Sequence, residues 1–154
     1  MKKLIISLIL ITSMVDFAVA GMNAVQIENC LYSIGMIESN GETDLVGDMN
    51  ITNHAYGAFQ IRQPYLDDVL RFSGIAMREK WGRNLTMKDM TETPKAIWVV
   101  RQYLSYYTKI YSIKTEKEPD VSIYARIHNG GPNGWKRKST KRYAEKVLEM
   151  YNTL

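Results

Sequence analysis

The sequence predicts a single α+β domain, mostly α-helical, with a small β-hairpin lobe inserted after its first helix. Three observations carry this prediction. Apolar residues recur at three- and four-residue spacing in several separate segments, as they do in amphipathic helices. The stretch from Ser39 to Tyr56 breaks that pattern, being polar and dense in turn formers ("SNGETD", "VGDMN", "TNHAYG"). Such composition suits a hairpin or an irregular β-lobe. Elsewhere proline and threonine open segments and glycine closes them.

The N-terminal "MKKLIISLILITSMVDFAVAG" has two lysines, an apolar run from Leu4 to Val15, then Ala18-Val19-Ala20. That layout is a secretory signal over residues 1–20, and a run of about a dozen residues is short for a membrane span. The expected mature domain is 21–154, large enough for its own core, secreted or periplasmic, monomeric and without a membrane span. Ala24, Ile27, Leu31 and Ile34 then predict a helix from Asn23, its N-cap, to about Ile37. After the turn-rich lobe, "GAFQI" reads as a short buried element. Pro64 opens a short helix through about Phe72, with Gly74 ending it. Thr93-Pro94 starts another, capped by the threonine, along which Ile97, Val100, Leu104, Tyr107 and Tyr111 keep helical spacing. Pro119 begins a helix carrying Val121, Tyr124 and Ile127 that stops at "NGGPNG". Ser139 or Thr140 caps a last helix with Tyr143, Val147 and Tyr151.

Charge and cysteine content narrow the function classes. Formal net charge is +4, falling to +3 without Lys2, Lys3 and Asp16. A mild positive charge favours encounter with an anionic polymer, but no nucleic-acid-reading motif accompanies it. Cys30 is the sole cysteine, so packing rather than disulfides must stabilise an exported domain. It reads as a small buried residue, since "IENCLYS" offers no cation to activate a thiol. His54 and His128 are too far apart in sequence to indicate a metal site, and no cofactor is expected.

One residue is out of place. Continuing the first apolar stripe from positions 27, 31 and 34 puts Glu38 on the core-facing side, at the helix C-terminus. Burial and the negative end of the helix dipole both favour the protonated carboxyl. A carboxylic acid held protonated near neutral pH is what general-acid cleavage of a glycosidic bond uses; the alternative is a helix that frays before Glu38. Such cleavage usually needs a second carboxylate, and the turn-rich lobe offers Glu42, Asp44 and Asp48. The segment "RIHNGGPNGWKRKST" is too rich in glycine, asparagine and cations for a mere connection.

In the order "IESN", "YGAFQI", "PYLDDV", "VRQYLSYYT", "YARIHNGGPNGWKRKSTKRYAEKV", the chain resembles the invertebrate-type (destabilase) lysozymes over essentially its whole mature length. The resemblance implies a lysozyme-like fold and bacteriolytic, antimicrobial hydrolysis of the β-1,4 bond between N-acetylmuramic acid and N-acetylglucosamine in peptidoglycan. It puts the general acid on Glu38. The family's second carboxylate falls on Asp48, nine residues before Gly57, a spacing about two residues longer than the family's and so a longer hairpin; Asp44 is the weaker match. The substrate-binding positions it implies are Arg62, Gln63, Tyr65, Asp68, Tyr103, His128, Asn129 and Gly130, with the loop forming part of the cleft wall. The chain departs from the family where cysteines become Tyr56, Val69 and Trp135, and where a tryptophan becomes Leu66. Two other functions compete: a lytic transglycosylase using Glu38 alone, and a non-catalytic glycan-binding protein on the same scaffold. An isopeptidase pairing of Ser39 or Ser139 with His128 has no spacing argument behind it.

Overall fold

A computed structural model describes residues 21–154; the expected signal segment, 1–20, lies outside the described residues. Asn23 starts helix α1 (Ala24–Ser39) as a capping box: its side chain accepts from the Gln26 N–H at 2.9 Å and the Gln26 side chain accepts from the Asn23 N–H at 2.9 Å. The helix runs two residues past the expected end, through Glu38, and closes at Asn40 in the left-handed conformation (φ 56°). Glu38 therefore sits in the last turn of an intact helix.

The turn-rich segment folds as a minimal antiparallel hairpin, β1 (Val46–Gly47) with β2 (Ala55–Tyr56), in register Val46 to Tyr56 and Gly47 to Ala55. Its exit is fixed by Gly57, at φ 71°, where a Cβ would lie 1.9 Å from the Met90 carbonyl oxygen. Only glycine fits both the angle and the gap, and the requirement seats the lobe against the body of the domain.

Helix α2 (Gln63–Trp81) corrects the sequence reading, which ended it at Gly74. A mid-helix glycine costs roughly 1 kcal/mol but does not terminate a helix. Leu66, Val69 and Met77 extend one buried stripe past it. The true stop is Gly82, left-handed at φ 72°, after Arg78 and Lys80 in the last turn.

Between α2 and the next helix lies a 3₁₀ turn, Met87–Thr91, that the sequence reading missed. It is organised by Asp89, whose side chain is 5 % exposed and paired with Arg83 (2.5 Å) and Lys95 (2.9 Å), while accepting from the Thr86 N–H (2.7 Å). The Arg83 hydrogen bond first, with help from Lys95 and Thr86, holds its carboxyl far below the usual carboxylate range. Because the folded state lowers this value, the stabilisation is full above about pH 4 and is lost as acid protonates the group. Asp89→Ala should cost about 1–3 kcal/mol by urea denaturation at neutral pH, with the gap to the parent narrowing below about pH 4. A gap independent of pH would contradict the account.

Helix α3 (Thr93–Thr115) begins as the proline predicts. Its N-cap position is Glu92 rather than Thr93, and no side chain caps it. Helix α4 (Val121–Gly130) is capped by Asp120, which accepts from the Ile123 N–H at 2.9 Å. It continues through His128, Asn129 and Gly130, so the first part of the expected loop is helix. Helix α5 (Lys141–Tyr151) starts after Thr140, which does not cap it. The Thr140 hydroxyl instead donates to the Gly134 carbonyl (2.8 Å) and accepts from Arg126 Nε (3.1 Å), tying the loop to α4.

Cys30 and Ile34 of α1, Val99 and Val100 of α3, Ala125 and Ile127 of α4, and Val147 of α5 meet in the core, each fully buried. The three positions where the family has cysteines are packed: Val69 is fully buried, Trp135 stands edge-on to Tyr111 with centroids 5.3 Å apart, and Tyr56 is half-buried in the hairpin. Burial pushes the Cys30 thiol up to about 12, the nearby Asp120 charge adding to it. A thiol reagent should label Cys30 slowly in the native protein and rapidly after denaturation; equal rates would contradict its burial.

Candidate active site

Glu38 ends α1 at the wall of an open cavity of about 450 Å³, and its side chain is 18 % exposed. The bend after β1 brings Asp48 to the same cavity, itself in the left-handed conformation at φ 56°. Arg62, just before α2, forms an ion pair with Asp48 and donates to the Asn53 carbonyl at 2.6 Å. The guanidinium thus holds the carboxylate and the lobe's turn together. Asp44 is exposed and does not line the cavity.

Helix α2 contributes Tyr65 and Asp68, three residues apart on one face. Asp68 accepts from the Tyr107 hydroxyl at 2.6 Å and pairs with Arg71 at 2.6 Å. Burial, then the Asp68 carboxylate, raises the Tyr107 hydroxyl above its usual value. Tyr65 stacks on Tyr103 of α3, with centroids 3.5 Å apart and planes at 16°. Tyr103 is only 2 % exposed; it backs Tyr65 and lines the cavity with it. Gln63 lies elsewhere: its side chain bonds Asp67 on the exposed side of α2 and does not line the cavity. Helical rotation from Tyr65 back to Gln63 is about 200°, which puts the two on opposite faces.

The end of α4 closes the cavity with His128, Asn129 and Gly130, followed by Gly131 and Pro132. His128 is buried. Its Nε2 lies 3.1 Å from the Phe59 carbonyl and 3.6 Å from Glu38 Oε1, and its Nδ1 lies 3.3 Å from the Tyr65 hydroxyl. The Nε2–H tautomer satisfies both partners, donating to Phe59 and accepting from Tyr65. Burial, the largest effect, lowers its pKa, against a smaller opposing pull from Glu38 and the Phe59 carbonyl; the ring is therefore neutral near pH 7. Both nitrogens are occupied, and Ser39 donates elsewhere, to the Ala58 carbonyl at 3.0 Å. No Ser39–His128 dyad forms.

Two neighbours escaped the sequence reading. Arg137 lines the cavity from the loop after α4, and its nearness to the glycine-rich segment was the available signal. Tyr143 of α5 faces Glu38: burial first, then the Glu38 charge, raises its hydroxyl well above the usual tyrosine range. Its spacing made it look like one more core residue. Among the described residues no group of three or more His, Cys, Asp or Glu is placed to hold a metal ion.

The arrangement brings together a half-buried carboxyl, a second carboxylate held by arginine, and amide, carboxylate and aromatic groups in one open site. That set suits a polar polymer of ringed units. The comparisons with known proteins agree. The Destabilase family model matches residues 27–150. A Magallana gigas protein described as a lysozyme is 29 % identical over 150 residues, 97 % of this chain and 96 % of its own. An invertebrate-type lysozyme of Ruditapes philippinarum is 30 % identical over 123 residues, 80 % of each chain. Among solved structures, a chain from the complex of Aeromonas hydrophila PliI with Meretrix lusoria lysozyme superposes with TM-score 0.63 at 25 % identity, covering 83 % of this chain and 93 % of that one. Tapes japonica lysozyme does so with TM-score 0.59 at 27 % identity, covering 79 % and 88 %. The chain belongs to the Destabilase family, with a lysozyme-like α+β fold, and is a glycoside hydrolase of the lysozyme type.

Proposed function

We propose that this protein hydrolyses the β-1,4 bond between N-acetylmuramic acid and N-acetylglucosamine in peptidoglycan, with Glu38 as general acid and Asp48 as nucleophile or stabiliser of the oxocarbenium-like state. The observation that carries the reading is the placement of Glu38 and Asp48 on one open cavity, from α1 and from the hairpin bend. Glu38 gives its proton to the glycosidic oxygen as the bond breaks. Asp48, paired with Arg62, faces the developing positive charge at the anomeric carbon. Water then completes hydrolysis, and Glu38, now a carboxylate, takes up its proton.

Tyr65, backed by Tyr103, supplies an aromatic surface. Asp68, Asn129, Arg62 and the backbone at Gly130 and Gly131 supply hydrogen bonds to hydroxyl and N-acetyl groups. The signal-like segment 1–20 supports export of a 21–154 domain, which would put the enzyme where its polymer is.

The purified protein is incubated with peptidoglycan, and soluble fragments and new reducing ends are measured. Release of fragments bearing reducing ends is the expected result. Binding without release would favour the non-catalytic reading.

A further inference from the structure

We propose that a second cavity, between α2 and α3, holds the carboxylate-bearing stem peptide that N-acetylmuramic acid carries on its lactyl group in an intact wall. The proposal rests on peptidoglycan being the substrate. This cavity has a volume of about 580 Å³ and is walled by one stretch of α2 together with Trp98 and Gln102 of α3. It adjoins the catalytic cleft. Asp68 lines the first cavity, Arg71 lines the second, and the two side chains are paired at 2.6 Å. From Asp68 to Arg78, at the far end of the second cavity, α2 rises about 15 Å. An extended peptide of about five residues spans at most about 17 Å, so a stem leaving a sugar beside Asp68 can reach Arg78.

Gly74 is the second observation. A glycine inside a helix weakens it relative to alanine, and nothing in the fold asks for one here. The residue is not left-handed, and a Cβ built on it would meet only Arg78 Nη1, at 3.5 Å, an ordinary contact with the end of a flexible side chain. What the glycine does is lower the wall of the cavity and let the Arg78 guanidinium lie over the helix inside it. The charge of Arg78 is met by a neutral amide, Asn84 Oδ1 at 3.1 Å, and Arg71 is 69 % exposed beyond its bond to Asp68. Both can take a carboxylate through two N–H groups. The Ser73 hydroxyl donates to Gln102 Oε1 at 3.0 Å, which leaves the Gln102 amide nitrogen to donate to a peptide carbonyl. Trp98, half-buried, supplies apolar surface for small side chains. Glu79 on the same cavity suits a chain that carries an amine as well as carboxylates and opposes a purely anionic polymer.

The test measures kcat/KM on peptidoglycan strands with their stems intact and on the same strands stripped of stems by an amidase, for the parent, Gly74→Leu and Arg78→Gln. Leucine keeps the helix and fills the space over position 74; glutamine removes the charge. The parent should cut stemmed strands about tenfold faster than stripped ones, the scale of one hydrogen bond to a charged group. Both variants should lose that preference while staying within about threefold of the parent on stripped strands. Equal rates of the parent on the two substrates, or a preference kept in both variants, would overturn the proposal. If Gly74→Leu does not fold, Arg78→Gln decides alone. Titration calorimetry with free stem peptide separates this proposal from the reading of the enzyme. Should neither substrate be cut, hydrolysis of peptidoglycan is wrong, while peptide binding that Arg78→Gln weakens about tenfold still supports the cavity. Absent binding, binding unchanged in Arg78→Gln, or equal binding of a polyphosphate without peptide would overturn it.

Discussion

Glu38→Gln should fold like the parent protein and lose nearly all glycan cleavage. The amide fills the same volume in the last turn of α1 and makes the same reach toward His128 Nε2, 3.6 Å from the carboxyl. It has no proton acidic enough to give to a leaving glycosidic oxygen. Removal of a general acid costs about 10²- to 10⁴-fold, and unassisted departure of a sugar oxygen puts this site at the upper part of that range. Cell-wall turbidity assays with circular dichroism as the folding control check the result. Activity within about tenfold of the parent, roughly 1.4 kcal/mol of barrier, would remove Glu38 from the role.

Asp48→Asn should cripple cleavage, while Asp44→Asn is mild. Asp48 lines the cavity and is paired with Arg62; Asp44 is exposed and does not line that cavity. On the proposed mechanism, neutralising Asp48 takes away the charge that faces the anomeric centre and leaves the Arg62 guanidinium uncompensated beside it. The expected loss is about 100-fold or more, the scale for a preorganised electrostatic group. Rates within about threefold are expected for Asp44→Asn, since exposed charges in turns contribute little. The reverse ranking would show that the longer hairpin carries a different carboxylate to the site. Loss in neither variant would favour a one-glutamate transglycosylase.

The helical stripe through Ile27, Leu31 and Ile34 was enough to place Glu38 on the inner face of α1, because a periodic helix fixes orientation without tertiary information. The loop composition after Ile127 likewise announced a special segment. What remained hidden depended on other elements. Asp89 reads in sequence as one more solvated acid, and only the fold converges Arg83, Thr86 and Lys95 on it. Gly74 reads as a stop because local propensity does not register the buried stripe that carries α2 on to Met77. The resemblance implied a substrate contact for Gln63, although helical periodicity puts it on the face of α2 away from Tyr65. Tyr103 and His128 line the expected cavity, and both are buried there, which the sequence could not show because burial is a property of the packed molecule.

The central claim is hydrolysis by Glu38 and Asp48 together, and digestion of peptidoglycan in heavy-oxygen water with mass analysis of the fragments tests it most directly. The account predicts that the parent enzyme yields N-acetylmuramic acid reducing ends, each carrying one oxygen from solvent, and that Asp48→Asn yields almost none. Anhydro-sugar ends without solvent oxygen, formed equally by the parent and by Asp48→Asn, would contradict it.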